Sequence, residues 1–329
     1  MIQENAIMKI RLFLLFVAIC IPRFATGQAA MPPETRNAAL RYWLAFAELQ
    51  DPPADQTIQD LLEKTAAGAI PWDEARLGPI LDKNEAAILA MHRATKLSEC
   101  DWGLEYSRGP RASIAYAPRA RVLARLNTLY GMRLASKGDS QQALDAWLDG
   151  LQFSQHMAKG GTLIFSLIAS MSLTSNLNAI QQAASQGKLS KQQQIEAAAA
   201  LRAMPESGFD WGAAFSYEEA AIEVALDEMK TAKDPANYFG QIMGHAAPPD
   251  FTVPTGAELA VFRRLMNDAV SALRQPPAQA AEKLVAIQGQ EKSLHPFFRE
   301  TTPGFMKINK TRSDIAASRA KLLNLLSSK

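Results

Sequence analysis

Cysteine, histidine and recognisable catalytic signatures are what this chain has least of. Its 329 residues include two cysteines, Cys20 and Cys100, and four histidines, His92, His156, His245 and His295, all widely spaced. No HExxH, CxxC, CxxCH, GxSxG or P-loop pattern occurs. Zinc hydrolysis, dithiol redox chemistry, haem attachment, a serine nucleophile elbow and nucleotide binding therefore lack the spacings they normally need. No cofactor and no metal is expected. Charge of one sign is lacking as well, since 35 Lys and Arg face 33 Asp and Glu. The period-two alternation of half-buried strands is nearly absent, which argues against a β architecture.

What is present begins at Met8. Lys9 and Arg11 form a basic segment, Leu12 to Ile21 an apolar one, and Ala25-Thr26-Gly27 supplies small residues, the order of an export signal cleaved after Gly27. Met1 to Ile7 then reads as an upstream extension, with Met1 or Met8 as the start. The apolar run is about half of the roughly 20 residues that span a bilayer as a helix, so an uncleaved anchor is the alternative, and Ile19 before Cys20 disfavours lipidation. Removal of residues 1–27 takes away Lys9, Arg11, Arg23 and Glu4, lowering 35 basic and 33 acidic residues to 32 of each. The remaining chain is neutral, has Cys100 as its sole cysteine, and is expected in the periplasm or outside the cell. Neutrality and export together leave no footprint for nucleic acid.

Alanine, leucine, glutamine and glutamate dominate the rest, with apolar residues at three-and-four spacing from Ala38 onward. This predicts an all-α protein, an irregular antiparallel array of about ten helices of the α-solenoid kind. Leu40, Trp43, Leu44 and Ala47 line one face of a first helix ended by Asp51-Pro52-Pro53. A second is expected near Thr57 to Ala66, and a third near Glu85 to Leu97 with Asn84 as its cap. Pro118 to Pro205 reads as four helices with short links, a pattern that packs antiparallel. Asp210 is expected to cap a helix reaching about Lys230, and a short one follows near Pro235 to Met243. These form a main domain over 28–243. The proline-rich stretch 244–254 reads as a hinge. C-terminal helices over 255–329 pack on the main domain, the last two near Ala278 to Lys292 and Thr311 to Leu326, separated by a loop.

Gly160 to Gly187 contains no charged residue. It is long enough to span a bilayer, but its serines, Thr174, Asn176 and Asn178 point instead to a fully surrounded central helix, so no membrane span is expected in the mature chain and a charge at Leu167 is expected to unfold it.

Gly131, Gly138, Ala143, Trp147 and Gly150 occupy the small and aromatic positions of a tetratricopeptide repeat, and the hairpin near 118–158 resembles one. Asn127, Leu134 and Gln155 depart from that pattern, and a shift of 34 residues finds no second copy. The resemblance implies one close-packed helical pair within an irregular array. The segment ECDWGLEYSRGP, Glu99 to Pro110, followed by an Arg-rich helix, is similar to secreted helical bacterial proteins of unassigned activity, which implies no mechanism.

Arg108, Arg111, Arg119, Arg121, Arg125, Arg133 and Lys137 follow one another without an acidic residue between them. Arg121 and Arg125 lie one helical turn apart and repel unless an anion neutralises them. Guanidinium forks suit carboxylates and sulfates, so Arg108, Arg111, Arg121 and Arg125, with Trp102 and Tyr106 from the preceding loop, are the candidate ligand-binding residues. The bland alternative is compensation by the acidic surface of Glu218, Glu219, Glu223, Asp227 and Glu228. Glu219, Glu223 and Asp227 could equally be read as a carboxylate stack for a cation, but no Glu-x-x-His pair accompanies them. The expected function is non-enzymatic binding of a protein, peptide or other anionic ligand. A carbohydrate-active enzyme with a helical toroid, using Glu99, Asp101, Glu105 or Glu219, and a passive envelope structural protein are the alternatives.

Overall fold

Short polar side chains start most of the helices. Asn37, Asp55, Asp73, Asp139, Thr162, Ser190, Asp210, Asp234 and Thr255 each accept a bond from a backbone N–H of the first turn, satisfying donors that the helix itself leaves open. The computed structural model describes residues 34–328; the export-signal reading lies outside them. Thirteen α-helices occupy the described residues: α1 (Ala38–Glu48), α2 (Gln56–Ala66), α3 (Glu74–Thr95), α4 (Ala117–Ser136), α5 (Ser140–Ala158), α6 (Leu163–Ser185), α7 (Lys191–Ala203), α8 (Trp211–Thr231), α9 (Pro235–Met243), α10 (Gly256–Leu273), α11 (Pro277–Gln290), α12 (Pro296–Thr301) and α13 (Phe305–Ser327). The described residues contain no strand, only an isolated bridge between Asn37 and Glu99. The protein is all-α, with three more helices than the periodicity suggested.

Three sequence expectations require correction. Helix α3 starts at Glu74 and continues through Pro79, because Leu77, Ile80 and Leu81 are buried around the proline and their packing outweighs its missing hydrogen bond. Asn84 is therefore no cap. Its side chain donates to the Ile80 carbonyl and accepts from the Gln50 N–H, pinning α3 to the end of α1. Second, α1 buries Ala38, Tyr42, Ala45 and Phe46 and leaves Leu40, Trp43 and Leu44 exposed, so the apolar face that the spacing picks out is not the one that packs. The helix is apolar nearly all round, so periodicity could not choose the side. Third, the loop before the last helix contains α12, and α13 begins at Phe305 rather than Thr311.

Residues from Arg36 onward form one compact unit. Within the stretch 244–254, Phe251 packs on Phe239 at 4.8 Å between ring centroids. Helix α6 touches α4, α5, α8 and α13. It is the one described helix long and apolar enough to cross a membrane, and Phe165, Ala169, Leu173 and Ile180 on it are fully buried.

The α4–α5 hairpin is tight where the sequence places small residues. A Cβ added at Gly131 would lie 2.3 Å from Trp147 Nε1, and one at Gly150 would lie 2.5 Å from the Asn176 amide on α6. The Gly131→Ala variant should therefore be destabilised by about 1–3 kcal/mol through overpacking, because Trp147 cannot yield without losing its bond to the Thr128 carbonyl. Urea unfolding measures this; an unchanged midpoint would mean that the hairpin is looser than described.

Candidate functional site

Two arginines without a carboxylate partner mark the site. Of the seven cationic residues between Glu105 and Asp139, four are matched locally: Arg108 pairs with Glu105, Arg111 with Glu228, Arg119 with Asp51, and Arg133 with both Glu74 and Asp82. Only Arg111 uses the acidic surface of α8. Glu223 on that surface is held by Arg263 and Asp227 by Lys230. Burial, and then the neighbouring Glu223, raise the Glu219 pKa. Lys137, exposed just past the end of α4, forms no ion pair with a described residue, and the remaining two, Arg121 and Arg125, lie within the helix. Arg121 is exposed and forms no ion pair with a described residue, while Arg125 donates only to the Gln59 amide oxygen, at 2.9 Å.

The Arg125 guanidinium is half-buried and its Nε is sequestered without a partner. Burial first, and then repulsion from Arg121, lower its pKa, opposed by Glu63. A guanidinium stays charged despite such a shift. The site thus holds two adjacent positive charges, one of them poorly solvated, with no described carboxylate in contact.

Both arginines line a continuous groove between α2, α4 and α6. One arm, of about 700 Å³, is walled by Ile114, Val122, Ile164, Leu167, Ile168 and Met171, with Arg121 and Arg125 as its only charged residues. The other, of about 620 Å³, shares the arginines and the α6 apolar residues and adds Ala66, Ala67 and Ala124, together with the hydroxyls of Thr128, Ser172, Thr174 and Ser175 and with Glu63 and Asp314 at its wall. Ser172 Oγ is buried and has no hydrogen-bond partner. Asp314 is engaged by Lys310 at 2.7 Å.

The groove also corrects the expectation of a fully surrounded α6. Met171 is 54% and Ile164 49% exposed, and with Leu167 and Ile168 they form an i, i+3, i+4, i+7 stripe along the groove floor. Helix α6 carries no charge and has apolar residues on all its faces, so the stripe was written in the sequence but could not be told from the buried one. Gln59 and Glu63 on α2 were missed because nothing in their own segment points across to α4.

The other candidates lie elsewhere. Trp102 is buried, donates to the His156 carbonyl at 2.8 Å and stacks on Tyr116 with ring centroids 4.4 Å apart. Tyr106 stacks on Tyr217 and donates to the Gly160 carbonyl; burial and then Tyr217 push its pKa up to about 12. Both serve packing in the loop between α3 and α4. Cys100 faces the His156 carbonyl, not an imidazole nitrogen, and burial pushes its thiol up to about 12, so it stays protonated and unreactive near neutrality. His92 bonds to Asn127 instead. Glu99, Asp101, Glu105 and Glu219 line neither arm of the groove.

Fold and site together define a helical array with an apolar groove that two arginines line. Comparison with protein-family models, with curated proteins and with solved structures finds no match to this chain.

Proposed function

We propose that this chain is an exported, non-enzymatic binding protein that holds an anionic ligand in the groove between α2, α4 and α6. The observation that carries the reading is the contrast among the arginines: Arg108, Arg111, Arg119 and Arg133 each have a carboxylate partner, whereas Arg121 and Arg125 share a cavity without one. Two like charges a turn apart on α4 repel by roughly 0.2–0.5 kcal/mol, and the Gln59 amide oxygen that Arg125 engages carries no charge to offset it. A bound anion turns that cost into affinity, because charge-assisted hydrogen bonds to guanidinium are about twice as strong as neutral ones. Export rests on the Met8 to Gly27 pattern, whose small residues and short apolar run suit cleavage.

The test uses 8-anilinonaphthalene-1-sulfonate, an apolar sulfonate that fluoresces when sequestered. The purified protein should bind it, and Arg121→Ala with Arg125→Ala should weaken binding at least tenfold while circular dichroism and the Tm stay near the parent's. Equal binding by the double variant would overturn the assignment of the groove.

A further inference from the structure

The groove has a polarity along its length, and this restricts the ligand beyond its charge. The 700 Å³ arm carries aliphatic side chains from α4, α6 and the loop before α4, with no charged residue other than the two arginines. The 620 Å³ arm continues past the same arginines into a mixed wall, where Ala66, Ala67 and Ala124 lie among hydroxyl side chains and two carboxylates. A short anion would leave the aliphatic arm wet, with Ile164 and Met171 facing solvent as they do here. An acidic peptide would place charges over that apolar floor, or against Glu63 and Asp314 at the far wall. A single apolar chain ending in one acidic group suits these walls: its tail covers Ile164, Leu167, Ile168 and Met171, and its acidic group meets the Arg121 and Arg125 side chains that line both arms.

We infer that the ligand is a single-chain anionic amphiphile, with its hydrocarbon tail in the aliphatic arm and its carboxylate or phosphate on Arg121 and Arg125. The inference rests on the anion-binding reading of the same groove. Tail burial supplies affinity in proportion to the apolar area removed from water, and the arginines select the acidic head. A polar substituent beyond that head lies beside Ser172, Thr174 and Ser175, so a phosphodiester fits the second arm as well as a free carboxylate fits the junction.

Isothermal titration calorimetry on the protein lacking residues 1–27, below each lipid's critical micelle concentration, tests this. Hexadecanoate and lysophosphatidylglycerol represent the two sources of the acidic head, hexadecanol is the neutral control, and acetate, inorganic phosphate and a poly-glutamate peptide are the non-lipid anions. One or both acidic lipids should bind with one-to-one stoichiometry, at least tenfold tighter than hexadecanol and than any non-lipid anion. Arg121→Ala with Arg125→Ala should remove most of that preference over hexadecanol. Leu167→Asp with Met171→Asp, on the open face of α6, should abolish lipid binding. Which lipid binds tighter identifies the head. If the peptide or phosphate binds as tightly as the lipids and still depends on the arginines, the groove takes anions but the amphiphile inference is wrong. If the sulfonate dye and every anion are indifferent to the arginines, both readings fall.

Discussion

Leu173→Asp is expected to abolish the folded state, while Leu167→Asp, six residues away on the same helix, is expected to leave it intact. Leu173 is fully buried on α6, the helix that touches α4, α5, α8 and α13. Losing a buried leucine costs about 2–5 kcal/mol, and a carboxylate without a partner in that interior adds several more or must take up a proton. The sum rivals the total stability of a typical domain, about 5–15 kcal/mol. Leu167 lies only part-buried on the groove wall, where an aspartate reaches water and faces Arg121 and Arg125. Soluble yield and thermal unfolding by circular dichroism separate the two. Equal destabilisation would mean that α6 has no open face, and the groove reading would fail with it.

The second large effect is a pH dependence centred on His156. This ring is 1% exposed, with Tyr42 Oη 2.8 Å from Nδ1 and the Gln152 amide nitrogen 2.8 Å from Nε2. The Gln152 amide donates, so Nε2 carries no proton and Nδ1–H donates to Tyr42: the ring is neutral. Burial, and then the charge of Lys159, push its pKa down to about 4, against about 6.5 for an ordinary histidine. The unfolded chain therefore takes up a proton in this range and the folded chain does not. Stability supplied by the neutral ring is present above about pH 6.5 and is lost as the pH falls toward 4, by about 3 kcal/mol in all. Glu218, whose pKa burial raises, works in the opposite direction, so the variant comparison is the informative one. His156→Gln should be less stable than the parent at neutral pH, and the gap should narrow by at least about 2 kcal/mol on going to pH 4.5. Urea unfolding at the two pH values checks this, and a constant gap would refute the neutral buried ring.

Much of the helix pattern was legible from residue chemistry. The four helices between Pro118 and Pro205, the Asp210 cap and the short helix from Pro235 to Met243 coincide with α4 to α9 to within a few residues, because caps, glycine-containing turns and prolines act locally. Misreadings arose where a local signal lost to packing: Pro79 inside α3, Asn84 holding Gln50, and α12 within a proline-containing loop. The site was half legible. Arg121 and Arg125 stood out by their spacing, but Arg108 and Arg111 belong to the same run, and nothing along the chain tells a guanidinium that will meet Glu105 or Glu228 from one that will meet no carboxylate.

Composition and pattern alone determined the helical class, the absence of the familiar catalytic and metal-binding signatures, the small-residue seam of Gly131 and Trp147, and the cationic character of the segment after Glu105. These depend on backbone propensity and on residues near one another in sequence. Tertiary structure decided which face of α1 and of α6 is buried, which arginines are neutralised, and that Gln59 and Glu63 share a groove with Arg121 and Arg125. Those outcomes depend on contacts between segments tens of residues apart, and a helix that is apolar on every side carries no local information about which side will be covered.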